Sequence, residues 1–231
     1  MIPSKTSIET VSGVYVDLAD PKPEMISITD IAWGLSRQAR FAGHTITDLP
    51  YSVAQHSVFV AQIVEGILDT GSKIHKKFTA AGILEWTELA EFINDPMRRN
   101  WTIWKALMHD AGEAYLIDLP SPVKRMPGIS EAYGAAEKKI MSVILQAFDY
   151  RLSTWVALDA QVDAIIHWAD LYARAIEAHH FMVSRGKHWG LEKPSISELH
   201  SFRQPIPALQ AYEEFITQFD RLLPHEIKPG D

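Results

Sequence analysis

The chain has 231 residues, of which 47% are hydrophobic and 22% are charged, as is usual for a soluble globular protein. The formal net charge of -7 provides no basic surface for stable nucleic-acid binding, and the absence of cysteine excludes disulfides and thiolate metal sites. A metal site in this chain would therefore use His, Asp and Glu. No apolar run reaches membrane-spanning length and no signal peptide is present, so we expect a cytoplasmic protein without a membrane partner.

The N-terminal part of the chain predicts an extended arm that leads into a first helix. Residues 1–26 make up the arm, and residues 11–20 alternate briefly as a short strand does. Two prolines within residues 20–23 end that pattern, and Ser27 then offers a start for a helix with an apolar stripe. Gly43 indicates that this helix has ended by that point.

The next predicted helix carries the first candidate ligand. Ser52 and Gln55 fit a capping box, in which each side chain satisfies a backbone N–H at the helix start, and the helix runs to about Leu68. His56 falls on its apolar face, where a hydrogen-bonded core histidine is the alternative to a metal ligand. Residues 69–100 predict two further short helices.

Residues 106–120 place four ionisable groups in a run that otherwise predicts a buried helix ended by Pro120. On one helix, Glu113 would share a face with His109, four residues earlier, and with Asp110, three residues earlier. An imidazole and carboxylates in apolar surroundings need a counter-charge, and a divalent cation would supply it. Surface charges without a shared role are the alternative interpretation of these residues.

The second half of the chain predicts three long helices and a rigid loop. The elements are a proline-rich loop over residues 120–128, helices over residues 130–148, 158–182 and 207–222, and a loop over residues 184–205. Asp170 lies among apolar residues on a face shared with His167 and Arg174, so a salt bridge to Arg174 is the alternative to a ligand role. Asp163, two turns earlier, is the competing carboxylate.

Four residues on three predicted helices form one pattern of possible ligands: in chain order they are His56, His109, Asp110 and Asp170. Two imidazoles and two carboxylates can hold one divalent ion and leave room for water and a substrate oxygen. This order resembles the HD-domain phosphohydrolase superfamily. The run His-Asp-Ala-Gly-Glu at 109–113, followed by Asp-Leu-Pro-Ser-Pro-Val-Lys at 118–124, resembles its bacterial 5′-deoxynucleotidase branch. The resemblance, which extends to related phage HD phosphohydrolases, covers residues 27–182.

The resemblance implies a role for each matching residue. The implied metal ligands are His56, His109, Asp110 and Asp170. Glu113 would orient or deprotonate the attacking water, and Asp118 would contact the sugar or help to protonate the leaving oxygen. The implied substrate contacts are Arg40, Phe41, Asp118, Leu119, Pro120, Ser121 and Lys124. Among these, Arg40 would hold phosphate, and Phe41, which stands where the family has tryptophan, would pack against the sugar.

Helical periodicity predicts one all-α domain, and the resemblance implies an HD-domain bundle over residues 27–223 with an extra C-terminal helix. Residues 1–26 form the arm and residues 224–231 a tail. The implied activity is that of a metal-dependent phosphohydrolase, most closely a 5′-nucleotidase that cleaves (deoxy)nucleoside 5′-monophosphates into nucleoside and phosphate. The implied cofactor is one divalent ion (Co, Mn, Zn, Ni or Fe), the implied partner a small-molecule nucleotide, and the implied assembly a homodimer.

Three alternatives stay open at this point. A deoxynucleoside triphosphate triphosphohydrolase of the same fold would need more cations, and Arg98, Arg99 and Arg125 are available. A non-catalytic helical domain would bind a metal or sense a nucleotide, but it would not need Glu113 and Asp118. A (p)ppGpp or cyclic-nucleotide hydrolase fits less well, because the loop after Asp118 matches the nucleotidase branch.

Overall fold

The computed structural model describes residues 3–69, 71–80, 94–148, 159–191, 194 and 202–222, and nearly all regular structure in these ranges is helical. The α-helices are α1 (Ile28–Arg37), α2 (Val53–Leu68), α3 (Lys73–Ala80), α4 (Pro96–Leu107), α5 (Glu113–Leu116), α6 (Ser121–Lys124), α7 (Ile129–Phe148), α8 (Asp159–Phe181) and α9 (Ala208–Leu222). The shorter elements are the 3₁₀ helices Pro23–Met25 and Arg40–Gly43 and the strands β1 (Ser7–Glu9) and β2 (Tyr15–Asp17). The predicted all-α class with a short N-terminal arm is therefore confirmed.

The N-terminal arm is held together by a small antiparallel sheet. β1 pairs with β2, with Ile8 opposite Val16. Gly13 lies in the turn between the strands with φ 82°, a left-handed conformation that glycine adopts without a steric penalty from Cβ. The arm is fixed to α1 by Asp30, a buried carboxylate that accepts hydrogen bonds from the backbone N–H (3.0 Å) and the hydroxyl (2.7 Å) of Ser12.

One of two compact units consists of Met1–Gln55, Asp110–Val156 and Pro205–Ile216. Its core is formed by apolar side chains of β2, α1, α5, α7 and α9, among them Val16, Ile31, Leu35, Tyr115, Ile140, Ile144 and Phe215. Within this unit α1 lies directly against α5, since a Cβ atom on Gly34 would come within 3.0 Å of the carbonyl oxygen of Ala114. Glycine at this position therefore permits the close approach that holds α5 in place.

The other compact unit consists of His56–His109, Ala157–Gln204 and Thr217–Asp231. Within it α4 contacts α8. Its buried side chains include Val60, Ile63, Ile67, Phe78, Ile103, Leu107, Ile165, Ile176 and Phe219. Helices α2, α4 and α8 contribute most of these side chains, and the same three helices carry or directly precede three of the predicted metal ligands.

The longer helices agree with their predicted ranges to within one residue at each end. At the start of α2, the hydroxyl of Ser52 accepts a hydrogen bond from the backbone N–H of Gln55 over 3.2 Å, as the predicted capping box requires. The side chain of Gln55 has a further partner, because its Oε1 accepts a hydrogen bond from the backbone N–H of Ile206 over 3.1 Å. The cap therefore also ties the start of α2 to the segment that precedes α9.

The prediction of one helix over residues 106–120 is wrong. α4 ends at Leu107, α5 begins at Glu113, and residues 108–112 form a turn between them. The His-Asp pair lies in that turn, so it does not share a helical face with the glutamate that follows it. The predicted loop over residues 120–128 also contains a short helix, α6.

Gly112 permits close packing of this turn against α7. A Cβ atom on this residue would lie 3.0 Å from Cγ2 of Ile140 and 3.2 Å from Sδ of Met141, both on α7. The backbone N–H of Gly112 also approaches Sδ of Met141 at 3.1 Å. The turn packs closely against α7 because glycine leaves space for these side chains. Gly112 and its partners on α7 are 28 or more residues apart in the chain.

Several predictions fall on residues outside the described ranges. They concern residues 81–93 of the segment 69–100, the first residue of the helix over 158–182, parts of the loop over 184–205, and the tail 224–231. The boundaries of one helical domain, residues 27–223, stay a prediction. Among the described helices, none combines the length and the apolar composition that crossing a membrane requires.

Candidate metal centre

His56 occupies the inward face of α2 and is wholly buried. Its Nδ1 donates a hydrogen bond to Oε1 of Glu177 over 2.7 Å, and its Nε2 lies 3.2 Å from Oδ1 of Asp170. Both carboxylates belong to α8, where a separation of seven residues corresponds to two turns and places them on the same face. Each nitrogen of one imidazole is therefore contacted by a carboxylate, and both carboxylates come from a single helix.

His109 lies in the turn that follows α4. Asp95 caps the start of α4 by accepting hydrogen bonds from two backbone N–H groups, and the helix ends at Leu107. Nδ1 of His109 donates a hydrogen bond to the carbonyl oxygen of Ala106 over 2.7 Å. Because a carbonyl oxygen can only accept, Nδ1 carries a hydrogen, and in the neutral ring the lone pair is then on Nε2.

Three of the four predicted metal ligands come together in the structure. One ligand atom from each of His56, His109 and Asp170 lies within 4.8 Å of the other two. These residues and Glu177 are referred to below as the histidine cluster. Two ligands bonded to one ion at about 2.1 Å lie at most about 4.2 Å apart, so the spacing of these atoms is close to the one that a single ion requires. Imidazole and carboxylate suit borderline divalent ions, so the residues fit the implied cofactor.

Asp170 also forms the salt bridge that was the alternative to its ligand role. Its Oδ2 accepts a hydrogen bond from Nη2 of Arg174 over 2.8 Å, while its Oδ1 is the atom near His56. Burial alone would raise the pKa of Asp170, but the hydrogen bond and charge of His56, with the charges of His109 and Arg174, outweigh burial and lower the pKa well below its ordinary value. This carboxylate is therefore ionised throughout the physiological pH range.

The competing residues of α8 point to other surroundings. The side chain of Asp163 is 64% exposed, and its Oδ1 lies 2.8 Å from Nζ of Lys105. His167 is exposed as well. Neither residue belongs to the group of ligand atoms that includes the imidazoles of His56 and His109. The geometry therefore favours Asp170 over Asp163 as the carboxylate of the cluster.

Asp110, the fourth predicted ligand, follows His109 in the chain and belongs to the first compact unit. Its Oδ2 lies 3.7 Å from Nη1 of Arg40, which is buried. The backbone of Arg40 is fixed, because its N–H donates to the carbonyl oxygen of Tyr51 over 2.9 Å. The ring of Phe41 lies 5.5 Å from the guanidinium carbon. The predicted phosphate-binding arginine is thus held beside one of the predicted ligand carboxylates.

A second group of charged side chains is built around Lys124, at the end of α6. Its Nζ donates to Oε1 of Glu113 and to Oε1 of Glu137, each over 3.1 Å, and these three residues are referred to below as the Lys124 cluster. Burial, together with the charges of Asp110 and Asp118, raises the pKa of Glu113 to about 9, although two nearby cations act in the opposite direction. Near neutral pH this carboxyl group can therefore hold a proton.

The side-chain amide of Gln38 connects the two residues predicted to be catalytic. Its Nε2 donates to the carbonyl oxygen of Glu113 over 2.7 Å, and its Oε1 accepts from the backbone N–H of Asp118 over 2.8 Å. Between them, Ile117 has φ 69°, and its carbonyl oxygen accepts a hydrogen bond from the hydroxyl of Tyr133 over 2.7 Å. One amide therefore holds both ends of the segment that carries these carboxylates.

The remaining predicted substrate contacts lie between Asp118 and the end of α6. Leu119 and Pro120 are half-buried, and Ser121 is exposed in the first turn of α6. Pro120 is the residue that precedes this helix, with the extended conformation that a proline-containing helix start requires. The short helix carries Lys124 to its position beside Glu113.

Three side chains that hold the predicted residues in place were not predicted from the sequence: Glu177, Glu137 and Gln38. Glu177 has a usable signal, because it follows Asp170 by seven residues on a helix whose buried face is otherwise apolar. Gln38 and Glu137 carry no comparable signal. Their partners lie far away in the chain or on another helix, and local spacing does not mark such contacts.

Comparison with models of protein families gives no match. The chain is 30% identical to the uncharacterised protein YfdR of Escherichia coli (strain K12) over 216 residues, which cover 93% of this chain and 94% of YfdR. It is also 30% identical to an uncharacterised protein of Rhodobacter capsulatus over 168 residues, which cover 73% of this chain and 69% of that protein. Neither description states an activity, so function has to be argued from the residues and their geometry.

Proposed function

This chain belongs to the protein family of Escherichia coli YfdR, and we propose that it is a metal-dependent phosphohydrolase acting on nucleotides. The proposed activity is that of a 5′-nucleotidase, which cleaves (deoxy)nucleoside 5′-monophosphates into nucleoside and phosphate. The observation that carries the proposal is the histidine cluster, in which ligand atoms of His56, His109 and Asp170 lie within 4.8 Å of one another. The order of these residues in the chain, and the Asp-Leu-Pro run that follows, support it through their resemblance to the nucleotidase branch.

In this proposal His56, His109, Asp110 and Asp170 hold one divalent ion. When bound, such an ion supplies positive charge that offsets charge on the phosphoryl oxygens and makes water a better nucleophile near neutral pH. The geometry of His109 supports this assignment, since its Nδ1 donates to a backbone carbonyl and the neutral ring then carries its lone pair on Nε2. Co, Mn, Zn, Ni and Fe are all compatible with nitrogen and carboxylate ligands.

The chain's own side chains complete the proposed reaction. As the water oxygen bonds to phosphorus, Glu113 takes up the proton that the water loses. The raised pKa makes the ionised form of Glu113 a stronger base than a glutamate in solvent, so this step takes place in the fraction of the protein in which Glu113 has lost its own proton. As the bond between phosphorus and the sugar oxygen breaks, Asp118 contacts the sugar or delivers a proton to that oxygen. Arg40 holds the phosphate, Phe41 packs against the sugar, and Lys124 keeps the carboxylate of Glu113 in place.

Two of the three arginines named for a triphosphate substrate, Arg98 and Arg99, do not support that alternative. Arg98 and Arg99 lie in the first turn of α4, whereas His109 follows its other end. At a rise of 1.5 Å per residue, roughly 14 Å of helix lies between them. Nε of Arg98 is 3.4 Å from Oδ2 of Asp95, and Nη2 of Arg99 donates to the carbonyl oxygen of Glu65. These positions favour a monophosphate over a triphosphate.

Phosphate release from a panel of nucleotides tests the proposal. Chelated full-length protein is reconstituted with Mn²⁺, Co²⁺, Zn²⁺, Ni²⁺ or Fe²⁺ and incubated with deoxy- and ribonucleoside 5′-monophosphates and with deoxynucleoside triphosphates. We expect inorganic phosphate from monophosphates with at least one metal, and none without metal. Asp170→Asn should abolish release, while Asp163→Asn, on the same helix, should not.

Two results would contradict the proposal. Release of tripolyphosphate from deoxynucleoside triphosphates, without hydrolysis of monophosphates, would establish the alternative enzyme. A failure of every metal to support hydrolysis of any nucleotide would refute the enzyme assignment and leave a non-catalytic helical protein.

A further inference from the structure

Glu177 is a wholly buried carboxylate that has no role in the function proposed so far. It lies on α8 two turns after Asp170, and its Oε1 accepts a hydrogen bond from Nδ1 of His56 over 2.7 Å. Removing a carboxylate from water costs solvation free energy that only strong partners offset. The contact with the imidazole is therefore the feature of Glu177 that needs an explanation.

Histidines of the same compact unit differ in what their Nδ1 atoms contact. Nδ1 of His75 donates to the carbonyl oxygen of Ile67 over 2.7 Å, and Nδ1 of His109 donates to the carbonyl oxygen of Ala106 over 2.7 Å. His56 instead donates to a carboxylate. A carboxylate polarises the ring more strongly than a carbonyl does, which makes the other ring nitrogen a stronger electron-pair donor.

The other ring nitrogen of His56 is the one that lies 3.2 Å from Oδ1 of Asp170. With the ring hydrogen on Nδ1, Nε2 carries a lone pair beside a carboxylate oxygen that also carries lone pairs. Two such atoms repel each other at this distance unless a proton or a metal cation lies between them. The contact with Glu177 therefore selects the tautomer of His56 that is suited to share a cation with Asp170.

We infer that Glu177 is a positioning residue of the metal centre: it fixes the tautomer and ring orientation of His56 and strengthens Nε2 as a ligand. This inference rests on the proposed function in one respect, since it takes His56 to be a metal ligand. A purely structural pairing of Glu177 with His56 leads to a different expectation. It would affect the free energy of unfolding and leave the affinity for metal unchanged.

Metal titration of Glu177→Gln tests the inference. Chelated full-length wild type and variant are titrated with Mn²⁺ by calorimetry. Glutamine has the size of glutamate and still accepts a hydrogen bond from Nδ1–H, but it lacks the negative charge. We expect the Kd for Mn²⁺ to rise about 10- to 100-fold, the usual effect of changing a residue that supports a metal ligand.

Asp30→Asn is the matched control for this titration. Asp30 is another buried carboxylate, but it accepts its hydrogen bonds from Ser12 and contacts no predicted ligand in the described hydrogen bonds. We expect its Kd for Mn²⁺ to equal that of the wild type. A rise of the same size in both variants would show that loss of any buried charge weakens binding, and would overturn the inference.

A second measurement does not depend on the variant. Nitrogen-15 chemical shifts of the Zn²⁺-loaded wild type report which ring nitrogen of His56 carries the hydrogen. We expect the hydrogen on Nδ1 and the metal on Nε2. A hydrogen on Nε2 would overturn the inference even if Glu177→Gln failed to fold.

The outcomes separate the inference from the proposed function. An unchanged Kd for Glu177→Gln would overturn the inference and leave the phosphohydrolase proposal standing. Glu177-dependent binding of Mn²⁺ by a protein that hydrolyses no nucleotide would support the inference and refute the proposed function. Failure of the wild type to bind Mn²⁺ or Zn²⁺ would overturn both.

Discussion

The carboxylates of Asp170 and Glu113 are both largely buried and both lie beside a cation, yet their pKa values move in opposite directions. Burial alone would raise the pKa of Asp170, but the two imidazoles of the histidine cluster and Arg174 outweigh it and lower the pKa. Burial and the negative charges of Asp110 and Asp118 raise the pKa of Glu113 to about 9. The ammonium group of Lys124 lowers this pKa but does not outweigh them. Burial decides the direction for Glu113, whereas the hydrogen bond and charges of neighbouring residues decide it for Asp170.

This difference separates two chemical tasks. A carboxylate that stays ionised at every physiological pH is suited to hold a cation, whereas one that can carry a proton near neutral pH is suited to exchange it with water. The histidine cluster has the first property and the Lys124 cluster the second. The comparison therefore supports a division between metal binding by one group of residues and proton transfer by the other.

Removal of a ligand from the histidine cluster should produce the largest effect. We expect His56→Ala to lose Mn²⁺ binding and to lower kcat/KM at least about a thousandfold, since a bound ion contributes several kcal/mol of transition-state stabilisation. Calorimetry and phosphate release measure the two quantities. His167→Ala, which removes an exposed imidazole from α8, is the control. Wild-type Mn²⁺ affinity in His56→Ala would mean that the metal binds elsewhere.

Glu113→Gln should show whether the two clusters have separate tasks. We expect kcat to fall about a hundredfold or more, the usual range for loss of a general base, with no change in the Kd for Mn²⁺. Steady-state kinetics at saturating Mn²⁺ and calorimetry of the same preparations measure this. Equal turnover by variant and wild type would remove Glu113 from the proposed mechanism. A parallel loss of Mn²⁺ affinity would show that the two clusters do not act separately.

The pH dependence of stability tests the raised pKa of Glu113 directly. The folded pKa of about 9 exceeds the unfolded value of about 4.3, so between these values the folded state binds more protons and the free energy of unfolding falls as the pH rises. The slope from this group is at most about 1.4 kcal/mol for each pH unit. In chelated protein, urea denaturation should show Glu113→Gln gaining stability relative to wild type from about pH 5 to about pH 9. Parallel profiles for the two proteins would contradict the raised pKa.

The smallest effect is expected at the solvent side of the Lys124 cluster. The side chains of Glu137 and Lys124 are 36% and 31% exposed, so solvent screens their interaction, which is worth about 0.2–1 kcal/mol. Glu137→Gln should therefore lower kcat/KM at most about fivefold. Glu131→Gln, exposed on the same helix, is the control. A loss as large as that of Glu113→Gln would mean that Glu137 takes part in the chemistry.

Sequence periodicity located the long helices because their apolar stripes and caps are local properties. α8 and α9 match their predicted ranges to within one residue for this reason. The break in residues 106–120 was not predictable in the same way, since the apolar spacing there favours a continuous helix and the packing of the turn against Ile140 and Met141 is a contact between residues far apart in the chain. A helix predicted from apolar spacing alone contains no information about such a contact.

In the candidate site, too, some residues were predictable from the sequence and others were not. Residue types proposed His56 and His109, and the order of the family resemblance chose Asp170 over Asp163; the structure brings ligand atoms of these three residues within 4.8 Å of one another. Gln38, whose amide joins residues 113 and 118, could not be selected, because a glutamine is common at surfaces and its two partners are 75 and 80 residues away. Supporting contacts of this kind become visible when the chain is folded.

A substitution at Ile117 should have opposite effects on thermal stability and on the proposed activity. A β-branched side chain at φ 69° costs of the order of 1–3 kcal/mol, and 61% of this residue is exposed, so burial of the side chain returns little of that cost. Ile117→Gly would relax the backbone and is a natural choice for a more heat-resistant variant. The same change would release the carboxylate of Asp118 from its fixed position, so under the proposed function heat resistance gained at this residue would lower the rate of hydrolysis.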